Sequence, residues 1–425
     1  MLRAALLLRR LRCSLPWLLL VFGLISALFT RNAWRPFRFH PLIGMASFFP
    51  GWLVSELPFH HILWQLGVVT VLALLGALST PVGLVGLGLC AASWGGLLAC
   101  HVQALSTQEA VDKAITEGLG EGVLPPPARL NLTRLAMPRP SVGRDVTRVR
   151  DLVYHDVDGL KLKLDIYHHT EKPSARPVLL QVHGGAWVIG TKDEQGLPLM
   201  HRMAHDGWIC VAINYRLSPR FTFPDPIVDI KRAIAWIHDN IGEYGGDPDF
   251  IAITGGSAGG HLCALAALSQ SDPAFQPGFE SVDTSLKACV PFYGIYDLTN
   301  DGRVWAPMGL PRLMERYVIK ASVEDARETY VAASPYCRAD ENAPPFMIFQ
   351  GTSDTLVPLK EARRFTKLLR DVSREAVCYV EVPGAQHAFE IFPSVRAEIA
   401  VDGAARFLHW TWENHQTSQA GQELA

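Results

Sequence analysis

The chain has 425 residues, of which 49% are hydrophobic and only 19% charged, an apolar balance that points to a membrane part beside a folded domain. Its formal net charge of -2 gives no electrostatic reason to expect nucleic acid as a partner. Eight cysteines are scattered without C-x-x-C or Cys/His spacing, so no zinc site is expected, and Cys210, Cys263, Cys289, Cys337 and Cys378 read as small buried hydrophobes.

Residues 13–30 carry no charge and follow Arg3, Arg9, Arg10 and Arg12. Leu15–Phe29 therefore reads as a hydrophobic span of signal-anchor type, with a cleaved signal peptide as its rival. The next segment favours a membrane region. From Leu57 to Gln108 there is no Asp, Glu, Lys or Arg. Ser79-Thr80-Pro81 divides this stretch into Ile62–Leu78 and Val82–Cys100, each close to the length that crosses a bilayer. Gly88, Ala92 and Gly96 form a small-xxx-small ridge suited to close helix packing. Two or three transmembrane helices are expected in residues 1–105. Arg31, Arg35 and Arg38 follow the first span, so charge placement leans only weakly towards an inside N-terminus.

Residues 106–150 are polar and proline-rich, with Pro125-Pro126-Pro127, Pro138 and Pro140, and read as a short helix (108–117) followed by a linker. From Asp151 the period changes. Strands are expected at 151–157 and 160–167 around the turn Asp158-Gly159, then at 177–182, 208–214, 250–253, 286–292, 345–349 and 377–382. Helices are expected at 193–206, 226–241, 259–268, 359–370 and 394–412, with an irregular stretch from Tyr293 to Ala343. Strands alternating with helices imply a mostly parallel sheet flanked by helices. The resulting division is 1–105 membrane region, 106–150 linker, 151–415 folded domain and 416–425 flexible tail.

The stretch Ile251–His261 reads I-A-I-T-G-G-S-A-G-G-H. A short apolar strand runs into Gly255-x-Ser257-x-Gly259 and then into a helix, the pattern of a nucleophile elbow. On so tight a turn a side chain two positions either side of the serine would collide with the backbone. Acyl transfer by that serine needs a base, a carboxylate to orient the base, and donors for the oxyanion. In an α/β-hydrolase the order is nucleophile, acid, histidine, each following a strand. Asp354 follows the strand at 345–349, and His387 lies in the loop after 377–382. Asp340, Glu341 and Glu361 are weaker rivals for the acid, and His409 and His415 for the base. The loop His183-Gly184-Gly185-Ala186 follows the third strand and, with Ala258, supplies the expected oxyanion-hole residues Gly184, Gly185, Ala186 and Ala258. His183 is expected to shape that loop. Neither metal nor organic cofactor is required.

His-Gly-Gly-x-Trp, Asn214-Tyr215-Arg216-Leu217, Gly-Gly-Ser-Ala-Gly-Gly and the later Asp and His together resemble the hormone-sensitive-lipase-like branch of the α/β-hydrolases. More narrowly, the chain is similar to membrane-anchored lipases and carboxylesterases of mycobacterial type. The resemblance covers about residues 150–412. It implies Ser257 as nucleophile, Asp354 as acid and His387 as base. It also implies that Trp187, where Phe or Tyr is more usual, lines the acyl or alcohol pocket. The family often has a third glycine where Ala186 stands. The expectation is a membrane-anchored serine carboxylesterase or lipase acting on small-molecule or lipid esters. An amidase or arylformamidase, or a prenylcysteine-type methylesterase, is the alternative on the same machinery. A non-catalytic binding protein of the same fold is the third reading. In the irregular stretch, Trp305, Met308, Leu310 and Leu313 suggest a lid or acyl pocket, or a packed surface loop.

Overall fold

A computed structural model describes the chain apart from residues 1, 38–40, 124, 140–142, 144, 172–173, 307–308 and 424–425, which include Arg38, Pro140 and Met308. It divides into two compact units. One comprises residues 1–107 with the short segments 352–356 and 383–387; the other comprises 108–351, 357–382 and 388–425.

The first unit is helical. Its elements are α1 (Leu2–Trp34), α2 (Pro41–Glu56), α3 (Pro58–Leu74) and α4 (Pro81–Leu105). Two helical stretches, Ser14–Trp34 and Pro81–Leu119, are long and apolar enough to cross a membrane. A third span results if α2 and α3, bent by 92° at Leu57-Pro58, count as one. Helix α2 lies outside the elements expected from the sequence. Gly44, Pro50 and Gly51 disguise it, although it carries no charge before Glu56.

Packing of α1 on α4 keeps one residue of the expected small-residue ridge, Gly96, where an added Cβ would lie 2.5 Å from Thr30 Cγ2, and corrects the other two. A side chain on Gly88 would meet nothing within 4 Å, and Ala92 is exposed. The buried stripe is instead Gly86, Cys90, Ser93, Leu97 and Cys100. A strict four-residue step drifts around a helix of 3.6 residues per turn, whereas alternating steps of four and three stay on one face. At Gly86 an added Cβ would sit 2.7 Å from the Leu19 carbonyl carbon, so the two backbones are in contact there. Ser93 Oγ lies 2.8 Å from Thr30 Oγ1, and Trp34 Nε1 donates to Gly96 O at 3.0 Å. Such polar groups find their partners between helices when no water is at hand.

The second unit is built on one eight-stranded sheet. The strands are β1 (Val146–Val157), β2 (Leu160–His169), β3 (Arg176–Val182), β4 (Ile209–Ile213), β5 (Gly246–Gly256), β6 (Ala288–Phe292), β7 (Phe346–Gly351) and β8 (Val377–Val382). Their order is β1-β2-β4-β3-β5-β6-β7-β8. The β1–β2 and β2–β4 pairs are antiparallel, and all others are parallel. Asp158 and Gly159 have φ of 51° and 85°, the left-handed pair that a tight hairpin between twisted strands needs. Strands β4, β6 and β7 are buried along their whole length, as expected when helices cover both faces of a parallel sheet. Cys210, Cys263, Cys289 and Cys378 are free and buried in this core, whereas Cys337 is exposed.

Several boundaries differ from the sequence reading: β1 starts at Val146, inside the expected linker, β5 extends over Gly246–Gly256, and the helix expected at 108–117 spans Thr107–Leu119. The helix expected at 193–206 spans only Leu197–His205, because Gly196 turns left-handed at φ 71° and Pro198 favours the first turn. Asn131 in the linker caps a short helix, Leu132–Ala136, accepting from the amides of Thr133 and Arg134 at 3.1 Å. The closing helix is Val395–Glu423, so residues 416–423, expected as a flexible tail, continue it. That segment contains no proline to stop a helix. The stretch Tyr293–Ala343 has short helical turns and, among the described residues, no strand after Tyr293.

The α1–α4 contact makes a direct prediction. Gly86→Val should lower the thermal unfolding midpoint of the detergent-solubilised protein, by an amount equivalent to about 1–3 kcal/mol of overpacking. Gly88→Val should leave it unchanged. Equal effects at the two positions would contradict the buried stripe described above.

Candidate active site

Strand β5 ends at Gly256, and the helix Ala258–Ala267 begins at the next residue but one. Ser257 carries the whole reversal, with φ 58° and ψ −119°, a conformation that L-residues rarely adopt. The two glycines of the motif permit it. A Cβ on Gly259 would lie 2.1 Å from Val182 O at the end of β3, and one on Gly255 would lie 2.6 Å from both Val182 O and Gly259 C. The turn is held from β6 as well, because Ser257 N donates to Phe292 O at 3.0 Å. Tyr293 follows, and its hydroxyl donates to the buried Glu390 carboxylate behind the turn.

The loop after β3 is built around three successive left-handed residues, Gly185, Ala186 and Trp187, with φ of 115°, 54° and 61°. Ala186 therefore occupies a backbone position that favours glycine, which accounts for glycine being common there in the related pattern. One expected donor is corrected. The Gly184 amide donates to Gln195 Oε1 at 2.7 Å and is not available to a substrate oxygen. The amides of Gly185 and Ala186 have no acceptor among the described residues. Gln195 escaped notice because it lies in a stretch read as helix but folds as the turn before it.

His183 shapes this loop rather than facing solvent. Its Nδ1 donates to Gly184 O at 2.8 Å, and its ring stacks on Tyr215 at 4.3 Å. Tyr215 Oη in turn donates to His183 O at 2.9 Å. Burial holds the His183 imidazole below its ordinary pKa. Trp187 is 2% exposed and belongs to the hydrophobic core. Its Nε1 donates to His261 Nδ1 at 3.1 Å, while His261 Nε2 donates to Ala333 O at 2.7 Å. His261 sits in the first turn after Ser257, so this chain of hydrogen bonds ties the β3 loop to the elbow helix.

Asp354 and His387 lie on the loops after β7 and β8, and both are in the first compact unit. His387 Nδ1 lies 2.8 Å from Asp354 Oδ2, with the residues 5% and 4% exposed. The carboxylate fixes the tautomer: Nδ1 carries the proton, leaving Nε2 as the basic nitrogen. Asp354 Oδ1 accepts the Leu356 amide at 2.8 Å. Gln386, which the sequence reading passed over, joins the two loops. Its Oε1 accepts from the amides of Thr355 at 2.7 Å and His387 at 3.0 Å. Ser353 N to Ala385 O at 2.9 Å and Gly384 N to Thr352 Oγ1 at 2.8 Å complete the link.

The rival residues are engaged elsewhere. Glu361 accepts the amides of Tyr296 and Asp297 at 3.0 and 2.7 Å, and burial raises its pKa to about 7. Glu341 pairs with Arg374, and Asp340 accepts the Asn342 amide. His409 bridges Asp206 and Trp208, and His415 packs against Phe250 and Trp412.

Known proteins can be set beside this geometry. The family model described as BD-FAE matches residues 164–369. The chain is 41% identical over 421 residues to the "Probable carboxylic ester hydrolase LipM" of Mycobacterium tuberculosis, covering 95% of each chain. It is 46% identical over 281 residues to "Esterase LipQ" of the same organism, covering 66% of this chain and 65% of the relative. Among solved structures, the butyrate-bound esterase Est2 of Thermogutta terrifontis superposes with a TM-score of 0.52 at 26% identity, over 60% of this chain and 91% of that one.

Two outcomes follow from this site. Burial depresses the folded-state pKa of His261 to about 4, against roughly 6.5 in an unfolded chain. The unfolded state therefore binds a proton that the folded state refuses as pH falls below 6.5. Stability should be lost progressively between pH 6.5 and 4, on the order of 3 kcal/mol from this residue. Chemical unfolding of wild type and His261→Gln across that range should show the smaller pH dependence in the variant. Gln386→Ala, which leaves two amides without their acceptor, should lower the turnover of a p-nitrophenyl ester by about 10-fold or more through loosening of the acid and histidine loops.

Proposed function

The chain belongs to the carboxylic ester hydrolase family of LipM and its relatives, with the α/β-hydrolase fold, and from that premise we propose that it is a membrane-anchored serine esterase. The observation that carries the mechanism is the buried Asp354–His387 hydrogen bond, on loops that follow Ser257 in the chain order nucleophile, acid, base.

In this reading Ser257 Oγ attacks the carbonyl carbon of a carboxylic ester while His387 Nε2 takes the hydroxyl proton. The tetrahedral oxyanion accepts hydrogen bonds from the amides of Gly185, Ala186 and Ala258. Ala258 contributes as the first residue of a helix, where the amide is unsatisfied and the helix dipole favours negative charge. Each such donor typically supplies about 3–4 kcal/mol of transition-state stabilisation. The imidazolium, stabilised by Asp354, returns its proton to the departing alcohol. Water, deprotonated by the same nitrogen, then releases the acid and regenerates the serine. Trp187, buried in the core with its N–H committed to His261, acts by tying the β3 loop to the elbow helix.

We assign residues 1–105 to the membrane and, after the linker, the sheet that begins with Val146 and the helix that closes at Glu423 to the hydrolase domain. The apolar spans Ser14–Trp34 and Pro81–Leu119 support the first assignment. Membrane insertion makes lipid esters, beside small-molecule esters, a substrate class to test, since an anchor alone does not specify a lipid substrate.

Hydrolysis of p-nitrophenyl esters by the full-length protein in detergent tests the reading. Ser257→Ala should abolish activity above background, and Asp354→Asn should reduce kcat by about 10,000-fold. A fully active Ser257→Ala protein would overturn it.

A further inference from the structure

The short segments 352–356 and 383–387, which carry Asp354 and His387, cluster with the helical residues 1–107 rather than with the sheet whose strands precede them. The contacts responsible come from one face of α2. Gly44 O accepts from Thr355 Oγ1 at 3.1 Å, next to the acid. Phe48 packs edge-to-face against the His387 ring, with centroids 6.3 Å apart and planes at 73°. A Cβ on Gly51 would lie 3.4 Å from Gln386 Nε2, the side chain that joins the two loops. Residues 44, 48 and 51 are spaced by four and three, one stripe of a helix.

Phe48 is held in turn. It is 8% exposed and stacks on Trp52 at 5.5 Å with planes 11° apart. Helix α2 is anchored to α1 by the buried Asn32–Ser47 pair, with Asn32 Nδ2 donating to Ser47 O at 2.8 Å and Ser47 Oγ to Asn32 Oδ1 at 2.5 Å. Met45, Phe49 and Leu53, on other faces of α2, are exposed.

We propose that α2 is a positioning element for the acid–base pair and that Phe48 is the residue that fixes the orientation of the His387 ring. The inference rests on the assignment of His387 as the base. A ring packed edge-to-face against the imidazole restricts its rocking about the hydrogen bond to Asp354. Misplacement of a reacting group by about 1 Å can cost 100-fold in rate.

The test is a double-mutant cycle on the full-length protein in detergent, with p-nitrophenyl butyrate as substrate. Phe48→Ala should lower kcat by roughly 10–100-fold with KM changed less than about threefold. In a His387→Ala background, Phe48→Ala should have no further effect on the residual rate, because its contribution acts through the imidazole. Met45→Ala, on an exposed position of the same helix, should match wild type. If Phe48→Ala does not fold, Phe48→Leu enters the same cycle, with a smaller loss expected and the same dependence on His387. A Phe48 variant that folds and keeps wild-type kcat would overturn the proposal. So would a loss of equal size in the presence and absence of His387. An active His387→Ala enzyme would instead overturn the hydrolase mechanism itself.

Discussion

The tight reversal at Ser257 is the constraint on which the second unit depends. A residue at φ 58° and ψ −119° persists only where its surroundings over-determine it. Here β3 lies on one side, so close at Val182 O that neither Gly255 nor Gly259 could carry a side chain, and β6 lies on the other, through Phe292 O. Parallel neighbours are required for this. The order β3-β5-β6 places the elbow strand between two parallel partners, and the following helix starts directly after the serine.

A second rigid assembly surrounds the acid and histidine. Gln386 Oε1 takes amides from both loops, Asp354 takes one from its own loop, and the imidazole closes the circuit. The buried environment strengthens each of these bonds and makes each costly to lose. The β3 loop is organised similarly. Gln195 holds the Gly184 amide, His183 and Tyr215 bind each other's neighbourhood, and Trp187 reaches His261 on the elbow helix. Each group proposed to do chemistry is thus oriented by a neighbour whose side chain does none.

Much of this was legible in the sequence. Eight strands were readable because buried parallel strands are short apolar runs and the hairpin carries its Asp-Gly turn. Ser257, Asp354 and His387 are expected from one motif and the order of strands, and of these the hydrogen bond joining Asp354 to His387 is seen. The positioning side chains were not legible. Gln195 and Gln386 are single polar residues in loops, and nothing in local pattern distinguishes a buried amide acceptor from a solvated one. Helix α2 was missed because Pro50 and two glycines weaken a propensity that tertiary packing restores. The small-residue ridge on α4 was misplaced because spacing alone does not say which of several small residues faces a neighbour; Gly86, not Gly88, meets α1.

The central claim is that Ser257 is the nucleophile of an acyl-enzyme mechanism. The most direct measurement is intact-mass and peptide mass spectrometry of the full-length protein after treatment with a fluorophosphonate. The account predicts a single adduct, formed at a rate matching loss of esterase activity, on the peptide containing Ser257. An adduct on another residue, or continued ester hydrolysis by protein fully labelled at Ser257, would contradict it.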